Sequence, residues 1–216
     1  MIIIAVSGYK NSGKSTLCRT LISSLQNLGF AVGYIKRTHE PVASPAWTDS
    51  GSVNEMGVPS LLWGYDSLRF ETPCEPGAEL PVSEIAGVYF PNADIVMVEG
   101  GKNLKLPKIW VLDEGGHPPD DGGIFAVYDR HGPGDGGLVY GADDAEDLAS
   151  KIALLAERDA RDARVYMDGR ELPMKNFVAS FLAGGVRGML GALKNPSEGD
   201  VSGEIRVYLK KSGGHS

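Results

Sequence analysis

The sequence contains little cysteine and no long apolar run, and each shortage excludes a class of protein. Its 216 residues include 2 cysteines, Cys18 and Cys74, which form no CxxC pattern, so neither a disulfide framework nor a zinc site is expected. No stretch approaches the roughly 18 consecutive apolar residues of a membrane span. The first residues lack the basic region and the length of a signal peptide, so we expect a cytoplasmic protein without a membrane partner.

Basic residues are also scarce in most of the chain. The first 163 residues carry 13 Lys and Arg against 23 Asp and Glu, a net charge of −10, whereas the remainder carries 8 against 5, or +3. An acidic body argues against nucleic-acid binding, because a phosphate backbone is bound by clustered Lys and Arg. The change of sign predicts a main domain over residues 1–163 and a small C-terminal α+β extension over residues 164–216.

The order of apolar segments in the main domain predicts alternating strands and helices. Strands are expected at residues 2–7, 31–36, 60–65, 95–98, 108–112 and 124–128, and helices at 14–27, 80–89 and 142–161. The polar stretch at 37–59 is predicted to be mostly a loop. In the extension, Asp168-Gly169 indicates a hairpin, and an amphipathic helix at 177–193 and a last strand at 204–209 follow it.

The segment from Gly8 to Thr16 matches GxxxxGK[ST] in full, follows an apolar strand and opens a helix. Glycines let successive N–H groups point into one concavity that can hold phosphate oxygens, and the helix adds its positive N-terminal end. Lys14 supplies a charge for the β- and γ-phosphates, and the Ser15 hydroxyl is suited to Mg²⁺. The predicted nucleotide-binding residues of this loop are Gly8, Asn11, Ser12, Gly13, Lys14, Ser15 and Thr16. The fold class expected is therefore a P-loop NTPase-type, mostly parallel α/β sheet with flanking helices.

A carboxylate stands where another strand is predicted to end. Glu99 follows the apolar run 95–98 and precedes two glycines. The carboxyl ends of parallel strands face the ligand, and a carboxylate there can hold Mg²⁺ through water or polarise an attacking water. We predict that Glu99 is catalytic and, with Ser15, a metal ligand; the alternative is a solvated glutamate at a strand end.

The base and the rim of the site are less strongly indicated. No Asn-Lys-x-Asp guanine element is present, and Asp129, at the end of a predicted strand, is the nearest substitute acceptor for guanine or else an ordinary turn residue. Lys36 ends the second predicted strand, and Thr38, His39 and Asp49 follow it. Thr38 and Asp49 are candidates for a switch-type contact with Mg²⁺ or the γ-phosphate, and His39 is either a ligand contact or a loop histidine.

Together these pieces resemble the MobB family of molybdopterin-guanine dinucleotide biosynthesis adapter proteins. The resemblance rests on segments 8–16, 35–39, 49–57, 94–102, 106–109 and 124–129, which occur in the order of the family and cover about residues 1–158. The chain departs from the family at Arg37, where a histidine is usual, and at Gly101, where an aromatic residue is usual.

The resemblance implies binding of GTP and Mg²⁺, weak GTP hydrolysis and a homodimer. It also implies work with a MobA-type guanylyltransferase, which joins GMP to molybdopterin. Two other functions stay open. A small-molecule kinase on the same fold would carry an Arg-rich lid, whereas Arg130 is the lone Arg or Lys between positions 113 and 137. A metallochaperone GTPase would carry a His- or Cys-rich tract, which the sequence lacks.

Overall fold

The structure, a computed structural model, describes residues 1–75, 80–114, 116–120, 123–159, 161–167, 170–192, 205 and 207. Internal contacts divide the chain into unit 1, Met1–Asp159, and unit 2, Ala160–Ser216. The elements of unit 1 are β1 (Ile2–Gly8), α1 (Lys14–Asn27), β2 (Val32–Lys36), α2 (Asp49–Glu55), β3 (Ser60–Trp63), β4 (Leu68–Glu71), α3 (Val82–Tyr89), β5 (Ile95–Glu99), β6 (Lys108–Val111), β7 (Ile124–Tyr128), β8 (Val139–Tyr140) and α4 (Ala145–Arg158).

Six of these strands form the central sheet, in the order β2–β5–β1–β6–β7–β8. Every pairing in this sheet is parallel. The predicted fold class, a mostly parallel sheet with flanking helices, is therefore confirmed. The short strand β8 was not predicted, because two residues are too few for a periodic signal.

The apolar run of β5 is continuous because both faces of the sheet are covered. Ile95 and Met97 belong to the cluster that contains residues of α1 and α4. Val96 and Val98 belong to a second cluster that contains Ala86 of α3. Since successive side chains point to opposite faces of a strand, a strand buried on both faces has no polar alternation.

Helix α1 packs the apolar face that its sequence spacing predicts. Leu17, Leu21 and Leu25 are fully buried. Burying one leucine contributes about 1.5–3 kcal/mol relative to leaving it exposed, so this helix is fixed firmly beside the sheet. The chain leaves the helix through Gly29, whose φ of 89° lies in the left-handed region that favours glycine after a helix end.

The stretch at 37–59 is not only a loop. It contains α2, which begins after Thr48, whose side-chain oxygen accepts a hydrogen bond from the Gly51 N–H at 3.1 Å. A threonine in that position stabilises the first turn of a short helix. The predicted strand at 60–65 exists as β3 but lies outside the central sheet, because it pairs antiparallel with the unpredicted strand β4.

Unit 2 contains a short antiparallel pair and a helix. The elements are β9 (Tyr166–Met167), β10 (Arg170–Glu171) and α5 (Asn176–Gly191). Glu171 on β10 accepts hydrogen bonds from Arg161 at 3.2 Å and from Arg164 at 3.0 Å. The predicted Asp168-Gly169 turn lies outside the described residues, as does most of the predicted strand at 204–209.

We expect residues 1–163 to fold and bind nucleotide without the rest of the chain. Both apolar clusters of unit 1 are formed by residues before position 157, and a domain needs only its own core. The fragment should be soluble and bind Mg²⁺-GTP within about 0.5 kcal/mol of the full chain, the scale of changes that touch no binding group. Calorimetry on both proteins measures this difference. An insoluble fragment would show that the domain boundary is misplaced.

Candidate functional site

The phosphate loop lies between β1 and α1, and two glycines shape it. A β-carbon added at Gly8 would lie 2.5 Å from the carbonyl oxygen of Val111 on β6, so no larger residue fits there without moving a strand. Gly13 caps α1 with a φ of 97°, in the left-handed region. Asn11 also has a positive φ, 66°, which asparagine tolerates better than most residues. These conformations fold the loop back over the start of the helix.

Lys14 bends over this loop. Its ammonium donates hydrogen bonds to the carbonyl oxygen of Tyr9 and, at 3.4 Å, to the hydroxyl of Ser12, which is 1% exposed. Partial burial lowers the pKa of Lys14 from its ordinary value, while the negative charge of Glu99 opposes that shift. The structure therefore places a cation across the loop, where the motif predicts one.

Glu99 is the most strongly bonded carboxylate of the site. Its side chain is buried, and Ser15 Oγ donates to Oε1 at 2.7 Å. The hydroxyl of Tyr34 on β2 donates to Oε2 at 2.5 Å, and Lys36 Nζ lies 3.8 Å from Oε1. Both carboxylate oxygens are thus engaged, and three separate elements meet at this one side chain.

Strand register explains why these residues meet. In the sheet Glu99 is the register partner of Val6 on β1 and of Lys36 on β2. The end of β5 therefore lies at the edge of the sheet from which the phosphate loop emerges. Predicted residues Glu99, Ser15 and Lys36 are brought together there.

The hydrogen bonds at Glu99 decide its charge. Burial pushes the pKa of Glu99 upward, but the bonds from Tyr34 and Ser15 and the charges of Lys36 and Lys14 outweigh burial, so the pKa is lowered. Burial and the bond to Glu99 raise the pKa of Tyr34 above its ordinary value. Glu99 is accordingly an anion and Tyr34 a neutral donor at neutral pH.

The predicted switch residues Thr38 and Asp49 form local hydrogen bonds. Thr38 is exposed, and its hydroxyl accepts from the Glu40 N–H at 3.1 Å; His39 is exposed as well. Asp49 is the first residue of α2, where its charge suits the positive helix end. Among the described residues, no hydrogen bond or ion pair joins these three side chains to the phosphate loop, and their switch role stays a prediction. Thr16 is exposed, and its hydroxyl accepts from Arg19 at 3.4 Å.

Asp129 stabilises the turn that follows β7. Its Oδ1 accepts from the His131 N–H at 2.9 Å, and its own N–H donates to the Tyr140 carbonyl oxygen at 2.9 Å. This is the turn role that the sequence left open beside guanine binding. The guanine role of Asp129 stays a prediction.

The roles of Tyr34 and of the aromatic pair Tyr9 and Trp110 were not predicted from the sequence. Tyr9 contacts the buried ring of Trp110 edge-on, with centroids 5.7 Å apart, and Lys102 Nζ lies 4.1 Å from the Tyr9 ring centroid. The one signal for Tyr34 was its position two residues before Lys36 near the end of β2. That position places Tyr34 on a predicted strand, but it does not reveal that its hydroxyl donates to Glu99.

Comparison with known proteins identifies the family. The model of the family described as "MobB: Molybdopterin guanine dinucleotide synthesis protein B" matches residues 3–127, more than half of the chain. The chain belongs to the MobB family. The match to MobB covers the phosphate loop, Tyr34 and Glu99 but ends before Asp129.

Relatives in the MobB family agree with this match. The chain is 30% identical over 135 residues to the molybdopterin-guanine dinucleotide biosynthesis adapter protein of Escherichia coli (strain K12), covering 60% of this chain and 74% of that one. It is 28% identical over 111 residues to the adapter protein of the same name from Haemophilus influenzae, covering 50% of this chain and 61% of that one. A crystal structure of molybdopterin-guanine biosynthesis protein B superimposes with a TM-score of 0.55 at 23% identity. It covers 71% of this chain and 99% of that chain, and at this identity it supports the fold alone.

We expect Glu99→Gln to slow GTP hydrolysis more than it weakens GTP binding. The amide keeps the shape of the side chain but removes the charge, so turnover should fall about tenfold or more. Tyr34→Phe removes one hydrogen bond to Glu99, and turnover should fall about fivefold, equivalent to about 1 kcal/mol. Phosphate release at saturating GTP and calorimetric affinity separate the two effects.

Tyr65→Phe is the matched control for Tyr34→Phe, because the Tyr65 side chain is fully exposed in the turn between β3 and β4. This control should match the parent. Unchanged turnover in Glu99→Gln would instead assign Glu99 a structural role at the strand end.

Proposed function

We propose that this MobB-family chain binds GTP with Mg²⁺, hydrolyses it weakly and acts as an accessory protein in the synthesis of molybdopterin guanine dinucleotide. The observation that carries the proposal is the complete phosphate loop at Gly8–Thr16, whose Ser15 is bonded to Glu99 at 2.7 Å. Membership of the MobB family supports the pathway. The names of the two adapter-protein relatives support the accessory role.

The residues present fit a magnesium nucleotide. A hydroxyl and a carboxylate, Ser15 and Glu99, are the oxygen ligands that Mg²⁺ prefers, and the low pKa of Glu99 keeps it charged. Mg²⁺, when bound, would neutralise charge on the β- and γ-phosphates. Lys14 supplies a second positive charge, and Glu99 can orient water near the phosphate. Tyr34 holds the Glu99 carboxylate in place for either task.

A protein partner suits the charge of the first 163 residues better than a nucleic acid does. The first 163 residues carry a net charge of −10, and the family resemblance implies a MobA-type guanylyltransferase with its molybdopterin substrate. No helix within the described residues has the length and apolar content to cross a membrane. We propose a cytoplasmic location for this work.

We expect the parent protein with Mg²⁺ to bind GTP more tightly than ATP. Lys14→Ala should weaken GTP binding by about 2–5 kcal/mol, because a charge paired with phosphates is lost. Lys105→Ala removes an exposed lysine outside the loop and is the matched control. Calorimetric titration of both nucleotides into the three proteins measures these differences.

Three outcomes would contradict parts of the proposal. Equal GTP affinity in Lys14→Ala and the parent would refute the phosphate site. A preference for ATP would favour the small-molecule kinase. If no complex forms when a MobA-type guanylyltransferase is titrated in the presence of GTP, the adapter role fails while nucleotide binding stands.

The hairpin formed by β3 and β4 supports a homodimer. Its apolar side chains are unusually exposed: Leu61 by 56%, Trp63 by 87% and Leu68 by 63%. A two-stranded hairpin is marginally stable alone, and exposed apolar patches mark interaction sites. A second copy of the hairpin offers a matching apolar surface, because a two-fold interface joins the same patch on both subunits.

We expect Leu61→Lys to dissociate the dimer and Leu154→Lys to leave it intact. The two leucines are 56% and 55% exposed, but Leu61 lies on the hairpin and Leu154 on the solvent face of α4. A buried, unpaired lysine at the interface should raise the dimer dissociation constant about tenfold or more. Sedimentation equilibrium measures that constant. A monomeric parent, or equal effects of both substitutions, would contradict this interface.

A further inference from the structure

The side chain of Arg130 lies against the phosphate loop although it comes from a distant part of the chain. Arg130 follows β7, which is the second strand from β1 in the sheet order. A β-carbon added at Gly13 would lie 3.5 Å from Arg130 Nη1 and 3.6 Å from Arg130 Cδ. The Arg130 side chain therefore lies beside Gly13, the residue that caps α1.

Hydrogen bonds hold this arginine in position. Arg130 Nε donates to His131 Nε2 at 2.7 Å. The His131 N–H donates to Asp129 Oδ1, and the Asp129 N–H donates to the carbonyl oxygen of Tyr140 on β8. With Nε used by the histidine, the two terminal nitrogens of the guanidinium remain for another acceptor. Among the residues that the structure describes, no carboxylate forms an ion pair with Arg130.

Positive charge is thus concentrated at one end of α1. The N-terminal end of the helix, the ammonium of Lys14 and the guanidinium of Arg130 all belong to the same loop region. Glu99, which accepts a hydrogen bond from Ser15 in the first turn of α1, offsets part of this charge. Because the remaining like charges repel, the arrangement is stabilised when an anion binds among them. A guanidinium presents parallel N–H groups that match two oxygens of one phosphate, which an ammonium cannot do.

We propose that Arg130 is a second phosphate-binding cation of this site and that His131 positions it. The ligand class is a nucleoside di- or triphosphate, contacted through phosphate oxygens over the first turn of α1. The inference rests on the proposed function, because it assigns a further residue to the same nucleotide site. It also gives the lone Arg or Lys between positions 113 and 137 a role that the GxxxxGK[ST] motif does not reveal.

The test compares ligands that share phosphates but not a base. GTP, GDP and inorganic pyrophosphate are titrated calorimetrically, with Mg²⁺, into the parent, Arg130→Gln and Arg130→Lys. Arg130→Gln should weaken all three ligands about tenfold, and Arg130→Lys should weaken them less, because it keeps the charge and loses the paired geometry. Arg158→Gln, at an exposed position in the last turn of α4, is the matched control and should equal the parent.

The role of His131 is tested by a double-mutant cycle. His131→Ala should weaken pyrophosphate binding in the parent background and have no further effect in the Arg130→Gln background, because it acts through the arginine. Additive effects of the two substitutions would overturn the positioning role.

The outcomes separate this proposal from the proposed function. If the parent binds GTP and Lys14→Ala weakens it, but Arg130→Gln equals the parent, the site stands and the role of Arg130 is overturned. Weaker GTP and GDP binding with unchanged pyrophosphate binding would place Arg130 on the base or ribose and also overturn the proposal. A parent that binds none of the three ligands would overturn both.

Discussion

The candidate site depends on the parallel pairing of β1 with β5. That register sets Glu99 beside Val6, two residues before the loop begins at Gly8. Ser15, in the first turn of α1, can then reach the carboxylate, and β2 on the other side of β5 brings Tyr34 to the same group. A shift of one residue in this register would turn Glu99 to the opposite face of the sheet. Successive side chains of β5 pack alternately into the two apolar clusters, and this packing opposes such a shift.

Local sequence signals were sufficient for the elements on which this arrangement is built. The phosphate loop, the apolar face of α1 and the position of Glu99 at a strand end follow from motif, spacing and the rule that ligands bind at the carboxyl ends of strands. The short helix α2 had a usable signal in Thr48 followed by Asp49, but the many Pro, Ser and Gly residues around it outweighed that signal. Strand β4 was not predicted, because the strand expected at 60–65 was not recognised as one arm of a hairpin.

The remaining features depend on tertiary contacts that no local pattern encodes. Tyr34 and Glu99 are 65 residues apart, and only the pairing of β2 with β5 joins them. Arg130 looked isolated in sequence, since a basic residue in a glycine-rich stretch gives no indication of what it contacts. Its approach to Gly13 follows from the sheet order and the length of the side chain. Conversely, Thr38 and Asp49 follow β2 in sequence, yet their described hydrogen bonds remain local.

The environment of Trp110 gives unit 1 an internal optical probe. This indole is 3% exposed and touches Tyr9 of the phosphate loop, whereas Trp47 and Trp63 are each 87% exposed. An indole in apolar surroundings emits at shorter wavelength than one in water and is shielded from a dissolved quencher such as iodide. In a protomer whose hairpin is not covered by a second copy, the emission that survives quenching therefore comes from the neighbourhood of the loop, and a movement of Tyr9 changes it without any label.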